Sequence, residues 1–490
     1  MSPTGRLTVE VGFCAVKPLR KCEVALRWGC SQYSRRYFEG QGFCFFWIGK
    51  YLNIASLRDY FKLMSHRSTQ KSEEKKTVII VGAGFAGLNT AKRLAQEESL
   101  SVILIDHKNH HLFQPLLYQV ATAGLDPSDI AVPIRGEFSE DSNVTVHLAK
   151  VDAIDLEKQE VSLSNSVVNF SYDYLVLACG AQHSYFGNHQ WESLAPGLKT
   201  LEQATEIRHR ILSAFEKAEN ETDPELQKRY LNFVVVGGGP TGVELAGAIA
   251  EISRKVLVND FKVINPALAQ VFLFEAGPRV LADFHPDLSA KAKKDLETLG
   301  VTVLVNQKVE NITENGVFYA GQWISSESIF WAAGVQARQI PILPPQPQDR
   351  AGRIIVESDL TLRGFPNAFV VGDMAHVSLG ESKTIPGVAP AAIQMGFHVA
   401  HSIRKNTRRN FKYLDKGLMA TIGKNKAVMQ SPGLFIKVDG RIAWWAWLLI
   451  HVLYLVGFRN RLSVMSQWVW SYLFSKHGSR LITSSRWENT

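Results

Sequence analysis

Two copies of a glycine-rich fingerprint constrain the fold of this chain more than any other feature of its sequence. Residues 82–87 read GAGFAG and residues 237–242 read GGGPTG, and each copy follows a short apolar run and opens a helix-like segment. In such a unit the first glycine permits the turn, the second lets a pyrophosphate approach the backbone, and the third lets the helix pack on the strand. One isolated match is weak evidence, but two in the same context predict two dinucleotide-binding sites.

Each fingerprint is followed by an acidic residue at the end of the next apolar run. Asp106 ends the run 101–105, at the spacing where a carboxylate binds the ribose hydroxyls of a dinucleotide. Glu275 ends the run 271–274, which comes later because residues 259–269 insert a loop. A carboxylate there would repel the 2′-phosphate of NADPH, so the second site is predicted to prefer NADH. The alternative interpretation is that Glu275 only caps its strand in solvent.

A third segment distinguishes a flavin site from a second nicotinamide site. Residues 369–373 form an apolar run that ends in Gly372 and Asp373, and flavoproteins with two dinucleotide sites use such an aspartate to bind the ribityl chain of FAD. Two further apolar runs, 174–180 and 329–334, end in small residues where the chain must cross between domains. This order predicts an α/β fold with two Rossmann-type domains, in which an NAD domain is inserted within an FAD domain.

The charge of the chain is unevenly distributed. The net charge is +8, yet residues 401–490 contain fifteen Lys and Arg against three Asp and Glu, and residues 1–63 contain ten against four. The body between these segments is therefore net acidic. A strongly basic tail predicts an anionic surface as its partner. Because no nucleic-acid-binding module is recognisable, we expect that surface to be a membrane and no nucleic acid to bind.

The C-terminal tail also has the composition of a segment that lies at a membrane interface. Six of the eleven Trp residues fall after residue 440, and Trp mixed with Lys and Arg suits the headgroup layer. Residues 442–458 lack charged side chains, at the lower length limit for crossing a bilayer. In residues 462–473 the apolar side chains recur at helical spacing and the polar ones lie on the other side: the apolar group is Leu462, Met465, Trp468, Val469, Tyr472 and Leu473, and the polar group is Ser463, Ser466, Gln467 and Ser471. We predict a pair of amphipathic helices in one leaflet; a buried helix at a subunit interface and a spanning helix are the alternatives.

The N-terminal segment has several interpretations, whereas the cysteine count limits the redox chemistry that the chain can perform. Residues 1–63 allow three interpretations: a targeting presequence, an additional membrane-associated region near residues 43–48, or a start assigned too early, with Met64 as the favoured natural start. From Met64 onward Cys179 is the only cysteine, which disfavours dithiol chemistry beside a flavin. No spacing of metal-ligand residues is recognisable, so no metal is predicted.

Five longer segments resemble the type II, or alternative, NADH:quinone oxidoreductases. They are IDHKNHHLFQPLLYQVATAGLDP (105–127), GGGPTGVELAGAIAEI (237–252), FPNAFVVGDMAHV (365–377), PGVAPAAIQMG (386–396) and YLDKGLMATIG (413–423), and the resemblance covers roughly residues 76–485. It implies a homodimeric flavoprotein attached to one membrane face by C-terminal helices. The implied division is an atypical extension (1–75), a first segment of the FAD domain (76–195), the NAD domain (196–325), a second segment of the FAD domain with a quinone-side motif (326–400) and a membrane-anchoring domain (401–490).

The resemblance also implies individual site residues. The implied FAD contacts are Gly82, Gly84, Gly87, Asp106, Gln114, Thr122, Ala178, Gly180, Gly372 and Asp373. The implied NADH contacts are Gly237, Gly239, Gly242, Glu275 and Gly334. The implied catalytic residues are Glu244 facing the nicotinamide, Gln394 in the quinone-side motif and Lys416 near the flavin. Glu244 could instead only complement the helix dipole, and Pro390 stands where the family commonly has a second glutamine.

The function predicted from these features is that of a membrane-associated NADH:quinone oxidoreductase that pumps no protons. NADH passes a hydride to FAD, and the flavin then reduces a membrane quinone in a ping-pong sequence. FAD and NADH are the predicted cofactors, and the protein is predicted to be peripheral, bound to an anionic lipid surface. The alternatives are a soluble NADH reductase that passes electrons to a small redox protein such as a ferredoxin, and a flavin-binding signalling protein without turnover. The Trp-rich tail favours the first function.

Overall fold

The computed structural model describes residues 75–164, 168–380, 384–431, 436–474 and 478–482. The three interpretations of residues 1–63 therefore concern residues outside the described ranges. Within those ranges, two parallel sheets correspond to the two predicted Rossmann-type domains. The predicted fold class is confirmed.

A six-stranded sheet forms the centre of the FAD domain. Its strands are β1 (Lys76–Val81), β2 (Leu100–Asp106), β5 (Val144–Leu148), β9 (Tyr174–Leu177), β21 (Thr361–Leu362) and β22 (Phe365–Val370). The order is β21-β22-β9-β1-β2-β5, and all neighbours are parallel except β21 and β22. Residues 78–81 are buried without interruption, as is typical of a central parallel strand with both faces covered.

A four-stranded parallel sheet forms the centre of the NAD domain. Its strands are β11 (Asn232–Val236), β12 (Gln270–Glu275), β13 (Val301–Val305) and β17 (Ser328–Trp331), in the order β13-β12-β11-β17. Strand β17 pairs with β11, whereas the sequence predicted that the NAD domain ends at residue 325. The chain returns to the FAD domain only after Trp331, because the last strand of the inserted sheet must pair before the chain can leave.

The two crossings between the domains pair with each other. They are β10 (Ala181–His183) and β18 (Val335–Ala337), which run antiparallel with Ala181 opposite Ala337. The remaining strands form smaller sheets: β3 (His110–Leu112) with β4 (Ala131–Pro133); β6 (Val151–Asp155), β7 (Glu160–Leu163), β8 (Phe170–Ser171) and β19 (Ile342–Leu343); β14 (Asn311–Thr313), β15 (Gly316–Tyr319) and β16 (Gln322–Ser325); and β20 (Ile354–Ile355) with β23 (Ala375–His376).

Helices cover the sheets and extend the chain beyond them. In the described residues they are α1 (Phe85–Leu94), α2 (Leu117–Ala121), α3 (Pro127–Ile130), α4 (Ile134–Glu137), α5 (Trp191–Leu194), α6 (Leu201–Asn220), α7 (Pro224–Tyr230), α8 (Pro240–Glu251), α9 (Pro286–Thr298), α10 (Ala389–Lys405), α11 (Gly440–Tyr454) and α12 (Phe458–Phe474). Helix α10 packs on α1 so closely that a Cβ at Gly396 would lie 2.5 Å from the carbonyl oxygen of Ala86. It also runs through the predicted domain boundary at residue 400.

A three-stranded sheet, β24 (Leu418–Thr421), β25 (Ala427–Ser431) and β26 (Ile436–Asp439), precedes the last two helices. It packs on the NAD domain, where the Gln430 side chain accepts a hydrogen bond from the His285 N–H at 2.7 Å and donates one to the Asp283 carbonyl at 2.9 Å. The Lys424 N–H donates to Glu251 Oε2 at 2.9 Å. The segment that the sequence assigned wholly to membrane anchoring thus contains a sheet that is held against the NAD domain.

Helices α11 and α12 form the predicted helical pair. Leu455 has an extended backbone and Gly457 has φ +85°, so α11 ends and the chain turns between them. The Arg461 guanidinium stabilises this turn by donating to the carbonyls of Leu455 (2.8 Å) and Leu453 (3.0 Å). Among the described residues, no helix combines the length and apolarity that a membrane crossing requires.

Helix α12 packs against the protein with the face that carries Ser463, Val464 and Gln467. Ser463 Oγ and Gln467 Nε2 each donate a hydrogen bond of 2.7 Å to the buried carboxylate of Asp129. The Trp468 indole donates to Gln119 Oε1 at 2.8 Å. The sequence grouped Trp468 with the outward apolar residues, but its hydrogen bond places it on the face that packs against the FAD domain. The outward residues are Leu462, Met465, Val469 and Leu473.

Candidate functional site

The first fingerprint turn has the geometry that a bound pyrophosphate requires. Gly82 has φ +100°, and a Cβ there would lie 2.4 Å from the Ala178 carbonyl oxygen. A Cβ at Gly87 would lie 1.8 Å from the Gly82 oxygen, so only glycine allows α1 to approach β1 this closely. A Cβ at Gly84 would meet nothing within 4 Å, so this side of the turn is open. Helix α1 begins here without a side-chain cap.

The second fingerprint turn repeats this geometry. Gly237 has φ +113°, and its Cβ would lie 2.6 Å from the backbone of Ala332 and Ala333. A Cβ at Gly242 would lie 1.8 Å from the Gly237 oxygen, and one at Gly239 would meet nothing within 4 Å. Both turns therefore fit a pyrophosphate at an uncapped helix N-terminus, where the backbone N–H groups and the helix dipole favour an anion.

The two predicted acidic residues bind the backbone of their own turns. Asp106 accepts hydrogen bonds from the N–H groups of Ala83 (2.6 Å) and Lys108 (2.8 Å). Burial works against ionisation of Asp106, but the His107 ring and these two N–H groups outweigh it and lower the pKa. Glu275 accepts hydrogen bonds from the N–H groups of Gly238 (2.7 Å) and Gly277 (2.6 Å). Each carboxylate thus lies beside its glycine turn, where a dinucleotide ribose would lie.

Asp373 lies in a cleft between the end of β22 and the start of α10. Gly372 has φ +71°, and its N–H lies 3.2 Å from the sulfur of Met395. The cleft is also lined by Arg353 and by Gly387, where a Cβ would lie 3.3 Å from the Asp373 carboxylate. A polar wall that includes Asp373 fits the hydroxyl-rich ribityl chain that the sequence predicted for this position.

The other predicted cofactor contacts differ in their packing, backbone conformation and hydrogen bonds. Ala178 is buried against Gly82, and Gly180 has φ +69°. A Cβ at Gly334 would lie 2.7 Å from the Ser184 oxygen, so packing alone already requires glycine there. The Thr122 hydroxyl donates to the Tyr118 carbonyl at 2.9 Å. Gln114 is half-buried at the start of a 3-10 helix (Gln114–Leu116).

Glu244 lies on the face of α8 that meets the C-terminal sheet. It is half-buried, and its Oε1 accepts a hydrogen bond from the Thr421 N–H at 3.4 Å. Burial raises the pKa of Glu244 to about 8, and the Thr421 N–H and the Trp447 indole offset part of this effect. A carboxyl group with this pKa still carries its proton at neutral pH, so it can donate that proton.

Residues that the sequence did not single out complete the surroundings of Glu244. Tyr118 is buried on α2, and burial together with the Glu244 charge raises the pKa of its hydroxyl well above the usual range. Gln119 Nε2 donates to the Tyr118 hydroxyl at 2.9 Å. From α11, Trp447 is fully buried near Tyr118, and His451 stacks on it with ring centroids 3.9 Å apart. The spacing of Trp447 and His451 along one helix face was the sequence signal for this pair.

The two other predicted catalytic residues have structural partners. Gln394 on α10 donates to the Leu414 carbonyl at 3.0 Å and accepts from the Leu414 N–H at 3.0 Å, so its amide holds the following segment against the helix. Lys416 is exposed, and its ammonium donates to the Tyr454 hydroxyl at 2.7 Å, at the end of α11. Pro390 lies in the first turn of α10, where proline is tolerated because its missing N–H has no helical partner.

Comparison with known proteins agrees with this fold. Residues 76–396 match the family model for pyridine nucleotide-disulphide oxidoreductases, and residues 416–477 match the model for the NDH2 C-terminal domain. Two dinucleotide-binding turns in two Rossmann-type domains define this class of oxidoreductase. The chain belongs to the type II NADH:quinone oxidoreductase family, and the predicted cofactors, FAD and NADH, are confirmed with it.

The relatives that support this assignment each cover more than four fifths of this chain. The type II NADH:quinone oxidoreductase NdhA of Mycobacterium tuberculosis is 42% identical over 83% of this chain and 89% of its own. The enzyme Ndh of the same organism is 39% identical over 85% of this chain and 92% of its own. The NDH2 structure from Plasmodium falciparum in complex with NADH shares the fold, with a TM-score of 0.76 at 20% identity, and covers 84% of this chain and 100% of its own.

Proposed function

We propose that this protein oxidises NADH and reduces a membrane quinone without spanning the bilayer. The observation that carries the proposal is the position of Glu244. This carboxyl group lies on the helix that follows the NADH turn, and it is enclosed by Trp447 of the tail helix α11. One chemical site is thus built jointly by the nucleotide-binding body and by the tail.

The residues of the chain have distinct roles in this proposal. Gly82, Gly84, Gly87 and Asp373 would hold FAD, and Gly237, Gly239, Gly242 and Glu275 would hold NADH. FAD, when bound, supplies the chemistry that takes two electrons from the nicotinamide and gives them to quinone. Reducing a quinone to a quinol also consumes two protons. Glu244 would hold one of these at its carboxyl group, because its pKa is about 8.

The environment of Glu244 supports this role in proton transfer. Tyr118 and Trp447 are buried beside it, and His451 stacks on Trp447. Burial lowers the pKa of His451 to about 4, so this ring is neutral at pH 7, and its Nδ1 is 2.7 Å from the Trp447 carbonyl. Since that carbonyl can only accept, Nδ1 carries the proton and Nε2 is left as an acceptor. A neutral acceptor suits the hydroxyl of a quinol better than a cation would.

The outer faces of α11 and α12 support attachment to a membrane. The exposed apolar side chains recur at helical spacing: Ile442, Trp445, Leu449 and Leu453 on α11, and Phe458, Leu462, Met465, Val469 and Leu473 on α12. Such a face on two neighbouring helices is typical of a protein that lies in one leaflet. Lys437, Arg441 and Arg459 are exposed beside it and would favour anionic lipid. The predicted homodimer is retained within the proposal.

The test combines turnover with membrane binding. FAD-loaded protein is assayed for NADH oxidation with a short-chain ubiquinone, and for flotation with neutral or anionic phospholipid vesicles. The variant Trp445→Glu/Leu449→Glu places two charges on the outward face of α11. The control, Leu148→Glu, changes an equally exposed apolar residue at the edge of the FAD-domain sheet.

We expect quinone turnover in the wild-type protein, and loss of flotation in the α11 variant but not in the control. Unchanged flotation of the α11 variant would contradict the membrane attachment in the proposal. Rapid reduction of FAD by NADH without quinone turnover would contradict the quinone reduction, and would favour the alternative in which a small redox protein accepts the electrons.

A further inference from the structure

Two side chains hydrogen-bond to the backbone of Ala83 in the FAD turn. One binds its N–H group and the other binds its carbonyl group. The Ala83 N–H donates to Asp106 at 2.6 Å, as the acidic residue of this motif predicts. The Ala83 carbonyl lies 2.8 Å from Nδ1 of His111. His111 comes from β3, in the segment after Asp106, and only 2% of its surface is exposed. His111 has no role in the proposed transfer of electrons or protons.

The tautomer of His111 follows from its partner. A carbonyl oxygen can only accept, so Nδ1 must carry the hydrogen. Nε2 has no hydrogen-bond partner among the described residues. A second proton would therefore create a buried, unpaired N–H and a buried positive charge. Burial accordingly lowers the pKa of His111, which keeps the ring neutral.

Holding the Ala83 carbonyl also fixes the next N–H group. In a trans peptide the C=O and the N–H point in opposite directions. The carbonyl of Ala83 belongs to the same peptide as the Gly84 N–H. When the carbonyl points to His111, the Gly84 N–H points to the other side of the turn. That is the side from which phosphate would approach, just ahead of α1.

The NAD turn achieves the same orientation with backbone alone. The corresponding carbonyl belongs to Gly238, and it accepts a hydrogen bond from the Leu281 N–H at 2.7 Å. Leu281 has φ +50°, a left-handed conformation that is uncommon for leucine. In both turns this carbonyl is therefore held by a donor from a later segment. In the FAD turn that donor is a side chain, which a mutation can remove.

We propose that His111 is a positioning residue for FAD: it acts through the Ala83 carbonyl to direct the Gly84 N–H toward the pyrophosphate. The proposal rests on FAD occupying the first fingerprint. It concerns retention of the cofactor and not the route of electrons, so it can fail or succeed independently of quinone turnover. It assigns no contact between His111 and the substrate.

The experiment measures the rate at which holoenzyme releases FAD, followed by the rise in free flavin fluorescence. His111→Leu removes the donor, whereas His111→Asn retains an N–H at the position of Nδ1. His110→Leu is the matched control, because His110 is the neighbouring residue of the same strand and bonds to the Asn109 side chain. The KM for NADH is measured in parallel, since the NAD turn has its own backbone donor.

Loss of one hydrogen bond predicts about 10-fold faster FAD release in His111→Leu. His111→Asn should restore most of the retention, His110→Leu should behave as wild type, and the KM for NADH should not change. Equal FAD release from His111→Leu and wild type would overturn the proposal. So would equally fast release from the Asn and Leu variants, because the volume of the ring, and not its N–H, would then be responsible.

A pH series tests the same proposal without relying on the Leu variant. The charged groups that face His111 are Lys92 on α1, Glu137 on α4 and Asp106 on β2. A second proton on Nε2 would leave the Nδ1–H in place but would put a charge and an unpaired N–H into the buried site, so FAD release should accelerate only as the pH falls to the lowered pKa of His111, below its ordinary value of 6.5. His111→Asn should show a weaker acceleration over the same range. A pH dependence that is identical in the two proteins would contradict the proposal.

Discussion

The two Rossmann helices begin with similar turns but present different chemistry seven residues after the first glycine. The first helix, α1, carries Asn89 there, and its side chain donates back to the Phe85 carbonyl at 2.7 Å. The second helix, α8, carries Glu244, whose carboxyl group meets Thr421 of the C-terminal sheet. The glycine pattern thus determines how each nucleotide is held. What the nucleotide can then do depends on the segment that packs against the helix.

The packing partners explain the difference between the helices. Helix α1 is covered by α10, and the close approach at Gly396 leaves room only for small side chains between them. Helix α8 is covered by β24, by α2 and by α11, which bring an N–H group, Tyr118 and Trp447 to its surface. One helix is therefore closed by the nucleotide-binding body itself, while the other is closed by the tail that carries the exposed apolar face.

Replacing the third glycine of either fingerprint should have the largest effect on cofactor binding. The two replacements should affect different cofactors, which would show that the two turns act independently. Gly87→Ala and Gly242→Ala each place a methyl group 1.8 Å from a backbone oxygen, a clash that α1 or α8 can relieve only by moving away from its strand. We expect Gly87→Ala to lose FAD. Gly242→Ala should keep FAD but slow its reduction by NADH by roughly 100-fold or more.

Flavin content and stopped-flow reduction of the flavin by NADH check this prediction. Gly136→Ala is the control, since a Cβ at Gly136 would meet nothing within 4 Å. If Gly242→Ala also lost its FAD, the two turns would not be independent. The comparison between them would then be wrong.

Replacing Glu244 and Asn89, the residues seven positions after the first glycine of each fingerprint, should show that the two helices differ in chemistry. Glu244→Gln keeps the shape of the side chain but removes its transferable proton, so quinone turnover should fall on the order of 100-fold. Asn89→Ala removes only a hydrogen bond within its own helix, and turnover should be unchanged. Steady-state NADH oxidation with a short-chain quinone measures both variants. Equal turnover of Glu244→Gln and wild type would exclude Glu244 as the proton donor.

The two acidic partners of the turns should differ in their effect on nucleotide choice. Glu275 accepts the N–H groups of Gly238 and Gly277 on separate oxygens, so Glu275→Gln retains an acceptor for one of them and removes the charge that would repel a 2′-phosphate. We expect the ratio of kcat/KM for NADPH to that for NADH to rise about 10-fold. Asp106→Asn, made at the flavin turn, should leave this ratio unchanged. A change of similar size in both variants would show that the preference does not arise at Glu275.

The smallest expected effect is on thermal stability, where the two sites should respond to pH in opposite directions. The pKa of Glu244 is raised from 4.5 to about 8, so the stability of the folded protein decreases as the pH rises through this interval. The pKa of Asp106 is lowered from 3.8, so its contribution is present above that value and is lost as the pH falls below it. The Tm of Glu244→Gln, relative to wild type, should therefore increase from pH 5 to pH 9. A constant difference would contradict the raised pKa.

The sequence predicts local features of this molecule well. The strand, turn and helix of each fingerprint lie within one continuous segment, so the glycines and the acids that follow them are sufficient to place both turns. The convergence of Tyr118, Glu244 and Trp447 could not be predicted in this way. These residues lie in three distant segments, and only the packing of α2, α8 and α11 brings them together.

The sequence also did not predict which face of α12 packs against the protein. Helical spacing shows that Ser463 and Gln467 lie opposite Leu462 and Met465, but it does not show which face the protein covers. Ordinary surface helices bury the apolar face. Here the buried Asp129 accepts hydrogen bonds from Ser463 and Gln467, so the covered face carries these polar residues together with the buried Val464. For the same reason Trp468 was grouped with the wrong side.

The pairing of β10 with β18 has a consequence for how the molecule could be re-engineered. The segment between these strands, residues 184–334, begins and ends at one place, and a segment whose ends meet can be replaced without diverting the chain on either side. A replacement would need to reproduce the surfaces of α8 and α9 that receive the C-terminal sheet. With those surfaces retained, the domain that selects the electron donor becomes a transferable cassette, while the flavin domain and the C-terminal helices remain in place.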